Sequence, residues 1–111
     1  MKNNANTPID KNLDSNIEKN ERPIAFHALV QGRVQGVGFR YSAVREAQRL
    51  KVDGWVRNTA NGDVEVWAEG PREKLELFLA WLQRGPQFSR VDSVDKTDVI
   101  PKGFQGFGVD Y

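Results

Sequence analysis

From Pro23 onward the apolar residues switch between a period of two and a period near 3.6. Ile24, Phe26, Ala28 and Val30 fall on alternate positions, which predicts a first strand with one buried face. Phe39, Ala43, Ala47 and Leu50 then recur at helical spacing and predict a helix over about residues 38–51. Trp55 and Val56 lie in a second predicted strand, about 53–59, and Asn61-Gly62 is a residue pair favoured in hairpin turns. Val64, Val66 and Ala68 alternate inward on a third strand. Gly70-Pro71 opens a second helix with Pro71 at its first position. Leu75, Phe78, Leu79 and Leu82 form the apolar stripe of that helix, and Gly85-Pro86 ends it. Strands over about 90–99 and 104–109 complete the chain.

That order, β-α-β-β-α-β with one further strand at the C-terminus, is an α+β arrangement of the ferredoxin-like type. Right-handed crossovers put both helices on one face of an antiparallel sheet. The expected domain covers residues 23–111. Residues 1–22 differ in composition: asparagine recurs at positions 3, 4, 6, 12, 16 and 20, and Ile9, Leu13 and Ile17 are the only sizeable apolar residues. Their spacing of four admits a transient helix over Asp10–Asn20. Three aliphatic side chains bury too little area to offset the entropy of ordering, so a disordered polar tail is expected.

Composition narrows the chemistry. With 111 residues, 28% charged and 39% hydrophobic, the chain has room for one core. A net charge of +1 gives no electrostatic case for nucleic acid or an anionic membrane surface. The absence of cysteine removes disulfides, thiolate nucleophiles and thiolate metal sites together. His27 is the single histidine, so a zinc site would need mostly carboxylates, and no metal or other cofactor is expected. The first residues lack the apolar segment of a secretory signal, and the longest apolar run, Leu77 to Leu82, is too short to span a bilayer. A cytoplasmic monomer is the expectation.

The densest chemical signal is Gly32-Arg33-Val34-Gln35-Gly36-Val37-Gly38-Phe39-Arg40, between the first strand and the first helix. Three glycines let the backbone turn sharply and approach a ligand closely. The helix start behind them offers unpaired N–H groups and the positive end of a dipole, a combination that attracts phosphate. Arg40 adds a planar guanidinium that grips two phosphate oxygens at once. The glycine spacing fails the dinucleotide fingerprint, and Phe39-Arg40 stands where a Walker A loop needs Lys and Ser or Thr. On spacing alone a plain structural turn competes evenly with a phosphate cradle, and Arg40 tilts the balance toward the cradle.

This stretch resembles the first signature of the acylphosphatases, small enzymes that hydrolyse acyl phosphates. Gly54-Trp55-Val56-Arg57-Asn58, followed by Asn61-Gly62-Asp63-Val64-Glu65, resembles their second. The similarity covers about residues 24–111 and neither signature departs from the family pattern. It implies a ferredoxin-like fold, with Arg40 binding phosphate and Asn58 positioning the attacking water. The phosphate cradle is expected to be Gln35, Gly36, Val37, Gly38, Phe39 and Arg40, the substrate a small acyl phosphate. Its leaving group is a carboxylate that departs without a proton, so no general acid is needed, and loose phosphoryl transfer asks mainly for positioning. Asn58 is a poor base, so the phosphate itself is expected to take the proton of water.

Other residues carry plainer expectations. By spacing alone Asn58 is a turn residue, and only the second signature reverses that. Arg57 is expected as a solvated charge facing away from Asn58, Arg33 as an exposed loop charge and His27 as a sheet-surface residue. Trp67 and Trp81 are assigned no site. Lys102-Gly103-Phe104-Gln105-Gly106-Phe107 superficially resembles the aromatic strand of RNA-recognition domains, but its spacing, position and the balanced charge oppose that reading. Two alternatives to a free-standing acylphosphatase remain. One is a carbamoyl-phosphate-handling module like that of the hydrogenase-maturation carbamoyltransferases; the other is a non-catalytic binding module for RNA or protein.

Overall fold

The computed structural model describes residues 22–111. The tail expected over 1–22, with its Ile9, Leu13 and Ile17 stripe, lies outside the described residues except for Arg22. The elements are β1 (Ile24–Arg33), α1 (Phe39–Leu50), β2 (Asp53–Asn58), β3 (Val64–Gly70), α2 (Arg72–Arg84), β4 (Arg90–Val99) and β5 (Phe107–Val109). They form one five-stranded sheet in the order β4-β1-β3-β2-β5.

Alternation decides which face is buried. Phe26, Ala28 and Val30 of β1, Val56 of β2, and Val64, Val66 and Ala68 of β3 share one apolar face. Against it pack Phe39, Ala43, Ala47 and Leu50 of α1 and Leu75, Phe78 and Leu82 of α2. These are the stripes read from the sequence. Fully removing an aliphatic or phenylalanine side chain from water stabilises the fold by about 1.5–3 kcal/mol, so this shared layer dominates the favourable terms. Pro71 departs by one position: it is the N-cap of α2 at φ −62, one residue before the helix.

The sheet also departs from the expected all-antiparallel one. Its four long strands pair antiparallel, but β5 runs parallel to β2, with Gly54 opposite Phe107 and Val56 opposite Val109. The cause is the point of departure. Val99 pairs with Ala25, Ala25 with Glu69, and Glu69 with Asp53, so β4 ends on the line where β2 begins. The connection crosses the open face at that end and enters β5 alongside the start of β2. The last strand is correspondingly shorter than the predicted 104–109. Lys102, Gly103 and Phe104 donate their backbone N–H groups to the buried Glu69 carboxylate at 2.6, 3.0 and 3.1 Å. Donors committed there are not available to a strand ladder.

Candidate active site

The loop between β1 and α1 is held by what lies at its two ends. Val34 and Phe39 are both buried in the core, so the segment between them is pinned at each side. Gly36 and Gly38 adopt φ values of 76 and 78, the left-handed region where an L side chain is strained. A Cβ at either position would meet nothing within 4 Å, so backbone twist and not crowding calls for glycine. Gly38 caps α1 without a side-chain hydrogen bond, and the first cap bond runs from Ser42 N–H to Gly38 O at 3.0 Å. Among the described residues, the N–H groups from Gly36 to Tyr41 donate to no acceptor. They stand at the positive end of the helix dipole, a setting that favours an anion.

Gln35 connects this loop to the other expected site segment. Its Nε2 donates to Thr59 O at 2.9 Å and to Asp63 O at 2.8 Å, across the β2–β3 turn. The Gln35 side chain is therefore committed to the turn, and it is the backbone of Gln35 that lies on the loop. Thr59 follows Asn58, the last residue of β2. The two segments, far apart in sequence, are thus stitched side by side.

Arg40, Asn58, Gly36, Gly38 and Phe39 line one pocket of about 340 Å³, together with Val34, Tyr41, Val44, Val109 and Tyr111. Arg40 makes no ion pair among the described residues; its guanidinium carbon lies 5.9 Å from the centroid of the Tyr111 ring. The Oδ1 of Asn58 is buried and has no hydrogen-bond partner. Buried polar atoms in folded proteins are overwhelmingly paired, so the unpartnered Asn58 oxygen stands out in the pocket that Arg40 also lines.

The acylphosphatase family profile matches residues 26–109. The chain belongs to the acylphosphatase family. It is 50% identical over 84 residues to the acylphosphatase of Pseudomonas paraeruginosa, an alignment covering 76% of this chain and 92% of that protein. The crystal structure of acylphosphatase from Bacillus subtilis superposes with a TM-score of 0.77 at 39% identity, over 79% of this chain and 99% of the other. The acylphosphatase from Coxiella burnetii gives 0.78 at 36% identity, over 84% and 96%. Acylphosphatases are hydrolases acting on acid anhydrides, and their ferredoxin-like α+β fold is the one described above.

Opposite the helices, the open face of the sheet carries its own charge network. His27 Nε2 lies 2.6 Å from Glu65 Oε2, and Arg57 Nε donates to Glu65 Oε1 at 2.7 Å. Burial pushes the Glu65 carboxyl up, but the hydrogen bonds from His27 and Arg57 outweigh it and hold it below the usual glutamate range. Arg57 also pairs with Asp110 at 3.6 Å and lies over the Trp55 ring at 5.1 Å. It is exposed and faces away from Asn58 as expected, yet it is ion-paired and not simply solvated. His27 is on the sheet surface as expected. Trp81 is half-buried and packs against Phe39 and Phe78 from the edge of the core. Two features, one at the site and one at the far end of β3, left no readable signal in the sequence. One is the C-terminal Tyr111 beside Arg40. The other is Glu69, whose four donors are backbone and indole N–H groups brought together only by the fold.

Among the described residues, no helix is long and apolar enough to cross a membrane.

Proposed function

We propose that the chain hydrolyses the carboxyl–phosphate bond of small acyl phosphates to a carboxylate and inorganic phosphate. The backbone of the 35–40 loop and the Arg40 fork hold the three non-bridging oxygens, and Asn58 orients the attacking water. The water oxygen bonds to phosphorus as the bond from phosphorus to the acyl oxygen breaks. That electron pair leaves on the carboxylate, and the proton of water passes to a phosphate oxygen. No general acid is required, because a carboxylate leaves unprotonated. Catalysis then rests on alignment and on N–H donors fixed where charge spreads in the transition state.

The observation that carries this reading is the unpartnered Asn58 Oδ1 in the pocket that Arg40 also lines. An amide has a carbonyl that accepts from water and an NH₂ that donates to phosphate, which suits one residue to both neighbours. The free N–H row from Gly36 to Tyr41 supplies the complementary anion site.

The test is release of phosphate from acetyl phosphate by the purified protein, with inorganic phosphate as inhibitor. Phosphate is expected to compete with substrate. Arg40→Lys keeps the charge but loses the fork, so it is expected to weaken phosphate inhibition and turnover together. No turnover of acetyl phosphate, or unchanged phosphate affinity in the Arg40→Lys variant, would overturn the assignment.

A further inference from the structure

On the basis of the acyl phosphate chemistry proposed above, we infer that Gln35 is a positioning residue for the reaction. Its side-chain amide holds the β2–β3 turn against the β1–α1 loop, and so sets where Asn58 stands relative to the bound phosphate. The amide nitrogen carries two hydrogens and both are used. One goes to Thr59 O at 2.9 Å and the other to Asp63 O at 2.8 Å. Those carbonyls belong to a turn already closed on itself. Thr59 N–H donates to Asp63 O at 2.9 Å, and Asp63 N–H donates to Thr59 Oγ1 at 3.0 Å. One amide thus grips both ends of a turn that moves as a unit.

What depends on that grip is Asn58. It ends β2 directly before Thr59, opposite Val64, and its Oδ1 has no hydrogen-bond partner. With that oxygen unpartnered, the amide stands where the backbone beneath it puts it. The loop that faces it has anchors of its own, because Val34 and Phe39 are both buried in the core. Among the described residues, the hydrogen bonds that join loop and turn are those of the Gln35 amide. Removing the amide therefore frees the turn and Asn58, while the N–H row and Arg40 stay in place. A reaction that rests on alignment is sensitive to this: a misplacement of about 1 Å can cost about 10² in rate. A tie that served stability alone would lower the melt and leave the aligned reaction unchanged.

The experiment measures kcat on acetyl phosphate, inhibition by inorganic phosphate and a thermal melt. It uses the wild type, Gln35→Met, Asn58→Ala and the double variant. Methionine keeps the length of the side chain and loses both donors. In Gln35→Met, kcat is expected to fall by about 10–100-fold while phosphate still competes at near wild-type affinity. On the Asn58→Ala background the same change is expected to lower kcat by less than about threefold, because the group it positions is already gone. Gln35→Glu supplies a second readout, and carries the test if Gln35→Met does not fold. Its ionised carboxylate would face two carbonyl oxygens with nothing to donate, whereas the protonated form has an O–H for one of them. Its kcat relative to wild type at the same pH is therefore expected to rise as the pH falls from about 7 to about 5. Near wild-type kcat in folded Gln35→Met, or a phosphate affinity that falls in step with kcat, overturns the positioning role. So do losses that multiply in the double variant, or a Gln35→Glu ratio that stays flat with pH. Each of these leaves the acyl phosphate chemistry standing; a wild type that releases no phosphate from acetyl phosphate overturns that chemistry instead.

Discussion

Replacing Glu69 by glutamine is expected to cost far more than its near-identical shape suggests. The Glu69 side chain is 3% exposed, and its two oxygens each accept two hydrogen bonds. Oε2 takes the Trp67 indole at 2.8 Å and Lys102 N–H at 2.6 Å; Oε1 takes Gly103 and Phe104 N–H at 3.0 and 3.1 Å. A glutamine puts an NH₂ where one oxygen was, so two donors lose their acceptor and the other two become neutral bonds. Hydrogen bonds to a charged group contribute about 1.5–3 kcal/mol and neutral ones about 0.5–1.5, so the gross loss is about 5–9 kcal/mol; burying a neutral amide in place of a carboxylate returns part of it and leaves a net loss of several kcal/mol. For a domain this small that is a large part of the total stability, and Tm is expected to fall by roughly 10 °C or more. Burial pushes the Glu69 carboxyl up, but the N–H donors from Lys102, Trp67, Gly103 and Phe104 together more than offset it, leaving it below the usual glutamate range. Its stabilisation is therefore complete above the ordinary glutamate pKa. It drains away as pH falls from there through the lower folded value. Glutamine does not titrate, so urea unfolding of the two proteins should differ most near pH 7 and converge in acid. A gap below about 1 kcal/mol at neutral pH, or one that widens on acidification, would refute the reasoning.

Other outcomes follow from single positions. Gly54 has φ 137, and a Cβ there would stand 1.8 Å from Trp67 O, so Gly54→Ala is expected to abolish cooperative unfolding or lower Tm by more than any surface change. Gly62→Ala, with φ 99 but open space around it, should cost only backbone strain of about 1–2 kcal/mol, as read by the same melt. The proposed cradle of N–H groups and a guanidinium neutralises phosphate unaided, so EDTA is expected to leave acetyl phosphate turnover unchanged. A loss that magnesium restores would contradict this. Deleting residues 1–22 should leave turnover and the melt nearly unaltered, because Ile9, Leu13 and Ile17 offer little area to bury. A large drop in Tm would show that this stripe packs on the domain.

What the sequence made legible was whatever local periodicity controls. Alternation at Ile24, Phe26, Ala28 and Val30, and the stripes ending at Leu50 and Leu82, located the long strands and both helices within a residue or two, except that β1 runs on to Arg33, into the stretch read as loop. The family assignment was legible for a different reason: two signatures keep their spacing because Gly36, Gly38, Arg40 and Asn58 occupy fixed positions around one pocket. What escaped was set by contacts between distant segments. The direction of β5 depends on where β4 ends relative to β2, which no local pattern encodes. Gln35 lay within the predicted loop, but its link to Thr59 and Asp63 needed the loop and turn to be neighbours. Glu69 looked like any polar residue on the outward face of a strand; only the crossing connection buries it. The neighbourhood of Arg40 and Tyr111 was equally hidden, since the two residues are far apart in the chain.

The central claim assigns different tasks to two residues of one pocket, and the Asn58→Ala variant separates them most directly. If Asn58 orients water and does not hold the ground-state phosphate, kcat on acetyl phosphate should fall by roughly 10²–10³, the scale for losing a preorganised hydrogen-bonding group. Inorganic phosphate should still compete at near wild-type affinity, because the loop N–H groups and Arg40 are untouched. The residue ends β2 beside a turn, and its Oδ1 has no partner to lose, so the melt should be close to that of the wild type. A folded Asn58→Ala protein with near wild-type kcat would contradict the account. So would one in which phosphate affinity falls by the same factor as turnover.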